Sequence, residues 1–233
     1  MSIIDKLLVL FDDQKQRTIE DVKNIFPKYS NQIISASLGR IVSRGWINKK
    51  SNYYQITESG RKLITNKLDG IERIENDNTF KKCLFVIFHI PEKERINRDI
   101  MRNFLLNNGY GRLHNTVWIK FNSKISILNS FIKDLKINDK VLTFEATPNQ
   151  EKIKEIIDFT KWNTIKIDKK YSDFITEAKY FLNTNDKNNI LARCIVYQFA
   201  KIIYEDPFLP PKNKKICLRD QAYKYYLKIR KFC

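Results

Sequence analysis

The longest apolar run in the chain, Cys83 to Phe88, decides most about what it can fold into. The run stops at His89, and Pro91 and a charged stretch, EKER, follow. A bilayer needs ~20 consecutive apolar residues, so this run is far too short to cross one. It reads as a strand over Lys82–Ile90, ended by the proline. Glu92–Asn108 then suits a helix, with Ile96, Ile100, Phe104 and Leu105 as its apolar positions. The segment NNGYGRLHNTVWIKF is a glycine turn leading into a strand at Thr116–Phe121. A helix over Ser123–Leu135 and a strand over Asp139–Ala146 complete the run. Strand, helix, strand, helix, strand is a ferredoxin-like pattern.

Ahead of this block, the apolar period changes to that of short helices. Ile3, Ile4, Leu7, Leu8 and Phe11 predict a first helix over 2–12. Thr18 caps a second, with Asp21 where a capping box places its acid. Ile19, Val22, Ile25 and Phe26 form its buried stripe, and Pro27 ends it. Ser30 caps a third helix. Ile33, Ile34, Leu38, Ile41 and Val42 are expected in the core, and Gln32, Ser35, Ala36, Gly39, Arg40 and Ser43 on the opposite face. Gly45 stops this helix. Alternation at Trp46–Lys49 and Tyr53–Ile56 predicts two short strands joined by Lys50, Ser51 and Asn52, with Tyr54 and Ile56 pointing inward. Thr57 caps a fourth helix. Three helices, a hairpin and a further helix, carried by SLGRIVSRGWINKKSNYYQITESGRKL, resemble the winged helix-turn-helix superfamily.

Charge points to the partner. The chain carries 43 basic and 26 acidic residues, a net +17, and such a field attracts polyanions. The excess is spread as +4 over residues 1–75, +5 over 76–146 and +8 over 147–233. Double-stranded DNA is the expected partner of the N-terminal module. A major groove admits one helix, whose N-terminal half meets base edges. Gln32, Ser35 and Arg40 are the candidates for reading bases. Lys28, Asn31, Arg44, Lys49 and Lys50 lie where phosphates would run. Ser30, Asn52 and Tyr53 complete the expected surface.

The segment LFVIFHIPEKERINRDIMRNFLLNNGYGRLHNTVWIKF resembles the middle domain of the PaaX family, the phenylacetic acid degradation repressors. That domain is in turn similar to the small ferredoxin-like nuclease of the CRISPR adaptation complex, where an aspartate at the end of the first strand ligates a metal in a dimer. The matching position here is His89. A hard ion such as Mg²⁺ wants carboxylate oxygens, and Glu92 and Glu94 belong to the first turn of the following helix, where acids favour the dipole. The strand end therefore reads as structural, with no catalytic or metal residue assigned and no cofactor expected. A metal-dependent nuclease built on this domain is the alternative function, and position 89 separates the two.

Residues 149–160, 171–182, 189–204 and 221–232 are predicted helical. LARCIVYQFAKIIYEDPFLPP and DQAYKYYLKI resemble the PaaX C-terminal domain, where an arginine-bearing helix runs into an Asp-Pro-x-Leu-Pro turn. The family has a tryptophan and a glycine between these motifs. This chain has KNKKICLRD there, a departure that bears on ligand binding more than on fold. The expectation is an α+β protein of three domains: a winged helix over 1–75, a linker at Asp69–Thr79, a ferredoxin-like α/β sandwich over 79–147 and a helical domain over 148–233. The resemblance implies a homodimeric transcriptional repressor released from DNA by an aryl acyl-CoA. Tyr197, Phe199, Tyr204, Phe208 and Tyr226 could stack on such an effector's rings, although core packing is the commoner fate of such residues. Cys83, Cys194, Cys217 and Cys233 are isolated, which excludes a disulfide framework or a zinc cluster and predicts reduced thiols. The absence of a basic, apolar leader gives the cytoplasm as the expected location, with no membrane partner.

Overall fold

A computed structural model describes residues 1–71, 74, 82–121, 125–185, 187–209 and 217–233. Its contacts divide the chain into two compact units. One comprises Met1–Glu72, Tyr171–Ile203 and Leu218–Cys233, the other Arg73–Lys170 and Tyr204–Cys217. The protein is α+β, and the helices expected as a C-terminal domain are distributed between these units.

In the first unit, α1 (Ile3–Phe11), α2 (Ile19–Ile25) and α3 (Asn31–Ser43) precede an antiparallel hairpin, β1 (Ile47–Lys50) and β2 (Tyr53–Ile56), and then α4 (Glu58–Leu68). Local chemistry sets each start. The Ser2 hydroxyl accepts from the Asp5 amide, Thr18 and Asp21 form a reciprocal capping box, and Thr57 accepts from the Gly60 amide at 3.1 Å. Bonds from the Thr18 amide and hydroxyl hold the Asp21 carboxyl below its ordinary pKa. Leu7, Leu8, Phe11, Val22, Ile34, Leu38, Ile41, Ile47 and Ile64 fill one core, which also takes Cys194 and Tyr197. Arg17 exchanges backbone hydrogen bonds with Tyr54 and adds a third, one-residue strand to the hairpin. These are the parts of a winged helix-turn-helix. The expected linker begins differently from its reading: Asp69–Ile71 make a 3-10 turn that buries Gly70 and Ile71, because Ile71 has apolar surface to hide. The rest of that expectation, Ile74 apart, lies outside the described residues.

In the second unit, β3 (Cys83–Phe88), α5 (Arg95–Asn107), β4 (Gly111–His114), β5 (Val117–Phe121), α6 (Ile125–Asp134) and β6 (Val141–Ala146) build a four-stranded antiparallel sheet in the order β4-β5-β3-β6. This is the ferredoxin-like arrangement. The apolar run is β3, and its central place explains the lack of polar alternation. Leu84, Val86 and Phe88 pack with Met101, Leu105, Leu128 and Ile132 on one face. Cys83 and Phe85 pack with Ile119, Phe121 and Trp162 on the other. Strands covered on both faces read as continuous apolar segments.

Two expectations change here. Residues read as a glycine turn contain β4, which is short and carries a register shift between Arg112 and His114. Gly109 (φ +74°) is the true turn, and a side chain there would meet the Glu205 carbonyl at 2.5 Å. On α5, Ile96 and Ile100 are exposed rather than buried, while Met101 and Leu105 point inward. The arc facing the sheet begins with Asn97 and Arg98, which are half-buried, so counting apolar residues on this helix picks the wrong stripe.

Beyond β6 lie α7 (Ile153–Phe159), α8 (Thr164–Asn183), α9 (Asn189–Glu205) and α10 (Leu218–Ile229). Tyr197, Phe199, Phe208 and Tyr226 are buried, and Phe199 stacks on Tyr226 at 4.8 Å. Lys120 on β5 is buried too. It donates to the Asn108 carbonyl and lies 5.4 Å from the centres of the Tyr110 and Tyr204 rings. A cation at a helix C-terminus and over aromatic faces recovers part of its lost hydration. Burial pushes the Cys83 thiol up to about 11 and the Cys194 thiol up to about 12, away from thiolate chemistry.

Candidate nucleic-acid interface

Helix α3 and the hairpin are held by a compact set of bonds. Ser30 begins α3, its hydroxyl accepting from the Ile33 amide at 3.3 Å. Gly45 (φ +68°) ends it in the left-handed conformation that suits glycine. Thr57 and Ser59 hydroxyls both donate to the Gly45 carbonyl, at 2.7 and 2.8 Å. The Thr57 amide donates to the Trp46 carbonyl at 3.0 Å. The end of the helix, the root of the hairpin and the start of α4 are thereby fixed together. At the hairpin's far edge, Arg17 is clamped by both carboxylate oxygens of Asp13. That hydrogen bonding is the main reason the Asp13 carboxyl is held below its ordinary pKa.

On this frame all eleven expected DNA-contacting residues are exposed: Lys28, Ser30, Asn31, Gln32, Ser35, Arg40, Arg44, Lys49, Lys50, Asn52 and Tyr53. Gln32, Ser35 and Arg40 stand on the outer arc of α3. Lys49, Lys50, Asn52 and Tyr53 surround the hairpin turn, whose Ser51 has φ +51°. The Ser30 hydroxyl is already engaged as the cap, so it positions the helix. The Arg44 guanidinium lies 4.9 Å from the Trp46 ring centre, and the Lys49 ammonium 5.6 Å from that of Tyr54. These rings orient the two cations without neutralising them. Among the described residues, none of Lys28, Arg40, Arg44, Lys49 and Lys50 forms an ion pair. Residues 22–57 contain six basic residues and no Asp or Glu. The surface is therefore positive and unscreened from within.

One residue departs from its expected place. Ile33 is 47% exposed, although its apolar character placed it in the core. Ile34, Leu38 and Ile41 lie at spacings that fill the inward arc, and Ile33 sits about 100° around the helix from Ile34. Gly39 also faces outward, and a side chain at that position would meet nothing within 4 Å.

The alternative site at the end of β3 is built otherwise. His89 is exposed, and its amide donates to the Lys140 carbonyl at 2.9 Å. Glu94 is held by Lys140 at 2.7 Å and Glu92 by Arg98 at 2.7 Å, and these cations keep both carboxyls below their ordinary pKa. Among the described residues, no group of three or more His, Cys, Asp or Glu side chains is close enough to hold a metal ion. Nor, among those residues, is any helix long and apolar enough to cross a membrane.

A winged helix joined in sequence to a ferredoxin-like sheet defines the class. Residues 81–157 match the PaaX protein central Cas2-like domain. That match covers about a third of the chain and identifies its ferredoxin-like sheet as a domain of the PaaX type. No curated protein matches it. Among solved structures, it is similar to the uncharacterized protein Rv0674 from Mycobacterium tuberculosis, at 12% identity and a TM-score of 0.47, covering 88% of this chain and 83% of that one.

Proposed function

We propose that this chain is a cytoplasmic, DNA-binding transcriptional regulator that acts as a homodimeric repressor, without catalysis of its own. The observation that carries the reading is the acid-free stretch over 22–57, whose exposed, unpaired cations flank the outer arc of α3. Its geometry suits a helix lying in a major groove, with Lys28, Arg44, Lys49 and Lys50 on phosphates and Gln32, Ser35 and Arg40 toward base edges. The match of residues 81–157 to the central domain of PaaX proteins supports the same reading.

A dimer is supported by apolar surface on the edge strand β6, where Leu142 is 62% and Phe144 42% exposed. Two copies would present two α3 helices to half-sites separated by whole turns of the duplex. The resemblance to the phenylacetic acid repressors supports an aryl acyl-CoA as the effector, which would have to bind the released form better than the DNA-bound form. Tyr197, Phe199, Phe208 and Tyr226 are buried, so its rings would have to rest elsewhere.

The nuclease reading finds less support, since Glu92 and Glu94, the acids that follow His89 in sequence, are both held by cations. The test is binding of the full chain to a fragment upstream of its own gene, at moderate salt with excess competitor DNA. Retention of the fragment, and its release by phenylacetyl-CoA, supports the proposal. Equal loss to any competitor refutes it, and Mg²⁺-dependent cleavage abolished by His89→Ala would favour the nuclease.

A further inference from the structure

We infer that Ile33 and Ala36 form an apolar reading spot for thymine 5-methyl groups, so the preferred site carries A·T pairs under the first half of α3. The inference rests on the DNA-binding reading above and deepens it. Within residues 1–71, the exposed large apolar or aromatic side chains are Ile33 and Tyr53. One stands on the helix and the other at the hairpin turn, the two elements whose cations are unpaired.

An exposed isoleucine has no folding advantage at that position. It is a weaker helix former than alanine and leaves a branched hydrocarbon in water. Its backbone is pinned by the bond from its amide to Ser30. Branching at Cβ leaves one strongly preferred rotamer, so the side chain is held ready at little entropic cost. Ala36 is exposed one turn further along the same stripe, and Arg40 follows one turn after that.

Chemistry narrows the target. In the major groove, the hydrocarbon feature of a base pair is the thymine methyl group, and apolar side chains read it. Guanine is commonly read by arginine or lysine, and Asn31–Leu38 contains neither. Gln32, beside Ile33, has the amide that pairs with the adenine edge. An apolar spot flanked by a carboxamide fits A·T pairs, while the surrounding lysines supply the attraction to phosphate.

The test begins by selecting the tightest duplexes for the full-length chain from a randomised library. Each thymine of the selected site is then replaced by deoxyuridine, which keeps pairing and phosphates and deletes one methyl. Affinity is read by fluorescence anisotropy for the native chain and for Ile33→Ala, whose exposed position leaves folding intact, as checked by circular dichroism. The expected result is a loss of about fourfold at one or two thymines, the scale of one methyl returned to water. Ile33→Ala should be insensitive at those same positions. A selected site with no methyl-sensitive thymine overturns the inference while leaving DNA binding in place, and so does equal sensitivity in Ile33→Ala. A library from which no duplex is enriched removes the underlying reading as well.

Discussion

Two helical glycines, Gly39 on α3 and Gly60 on α4, give opposite and calculable answers to the same substitution. At Gly60, an added Cβ would lie 2.2 Å from the Trp46 carbonyl oxygen and 2.9 Å from Ile56 Cγ1. Carbon and oxygen rest ~3.3 Å apart at closest, so the root of the hairpin would have to retreat by about 1 Å. Overpacking of that kind costs about 1–3 kcal/mol, offset by the ~1 kcal/mol that alanine gains over glycine in a helix. Gly60→Ala is thus expected to destabilise by up to about 2 kcal/mol. At Gly39 an added Cβ meets nothing within 4 Å, so Gly39→Ala should stabilise by about 0.5–1 kcal/mol. If DNA lies against that face, the same methyl group weakens binding. The assay is urea unfolding followed by circular dichroism, read as a midpoint shift at unchanged slope, beside anisotropy with the selected duplex. A stabilised Gly60→Ala would refute the packing argument. A Gly39→Ala chain that is more stable and binds DNA as before would refute close approach at α3.

Changing Lys49 and Lys50 together to Ala should weaken binding to every duplex and flatten its logarithmic salt dependence by about one to two units, and an unchanged slope would place the hairpin away from phosphate. Arg40→Ala should cost about 1–3 kcal/mol on the selected site and relax one base position, whereas equal loss on random DNA would make Arg40 a phosphate contact. The Asp13 carboxyl is held low mainly by its hydrogen bonds from Arg17, so its contribution is complete above the ordinary carboxylate pKa and lost as pH falls through the lowered one. Thermal stability between about pH 5 and 3 should therefore fall more steeply for the native chain than for Asp13→Asn, and parallel profiles would contradict that sign. Phe144→Glu should give a folded monomer in sedimentation, since a charge on exposed apolar surface opposes burial in an interface, and an unchanged dimer would locate the contact elsewhere.

What could be read from the sequence was the chemistry that acts over a few residues. Thr18 with Asp21, Ser30 and Thr57 cap the helices they precede, because capping bonds span three residues and need no tertiary partner. Gly45 stops α3 for the same local reason. The ferredoxin-like alternation of strands and helices was legible from three strands, while β4 and the order β4-β5-β3-β6 were not, because a four-residue strand with a register shift carries little periodic signal. The misplacements lie where an inward arc is set by packing. Ile33, Ile96 and Ile100 carry the right chemistry for a core and point away from it. Lys120 carries the wrong chemistry and is buried, because Asn108, Tyr110 and Tyr204 are brought to it from other parts of the chain. In the candidate interface the cations were legible from composition. Their restraint by Trp46 and Tyr54 was not, since it depends on the hairpin register.

The central claim is that α3 meets the edges of a duplex while the hairpin cations hold its backbone. A crystal structure of the full chain with its selected duplex tests this most directly. The account predicts α3 in the major groove with Gln32, Ile33 and Arg40 at base edges and Lys49 and Lys50 within hydrogen-bond reach of phosphates. A duplex bound to another surface, with the outer arc of α3 in solvent or against protein, would contradict it.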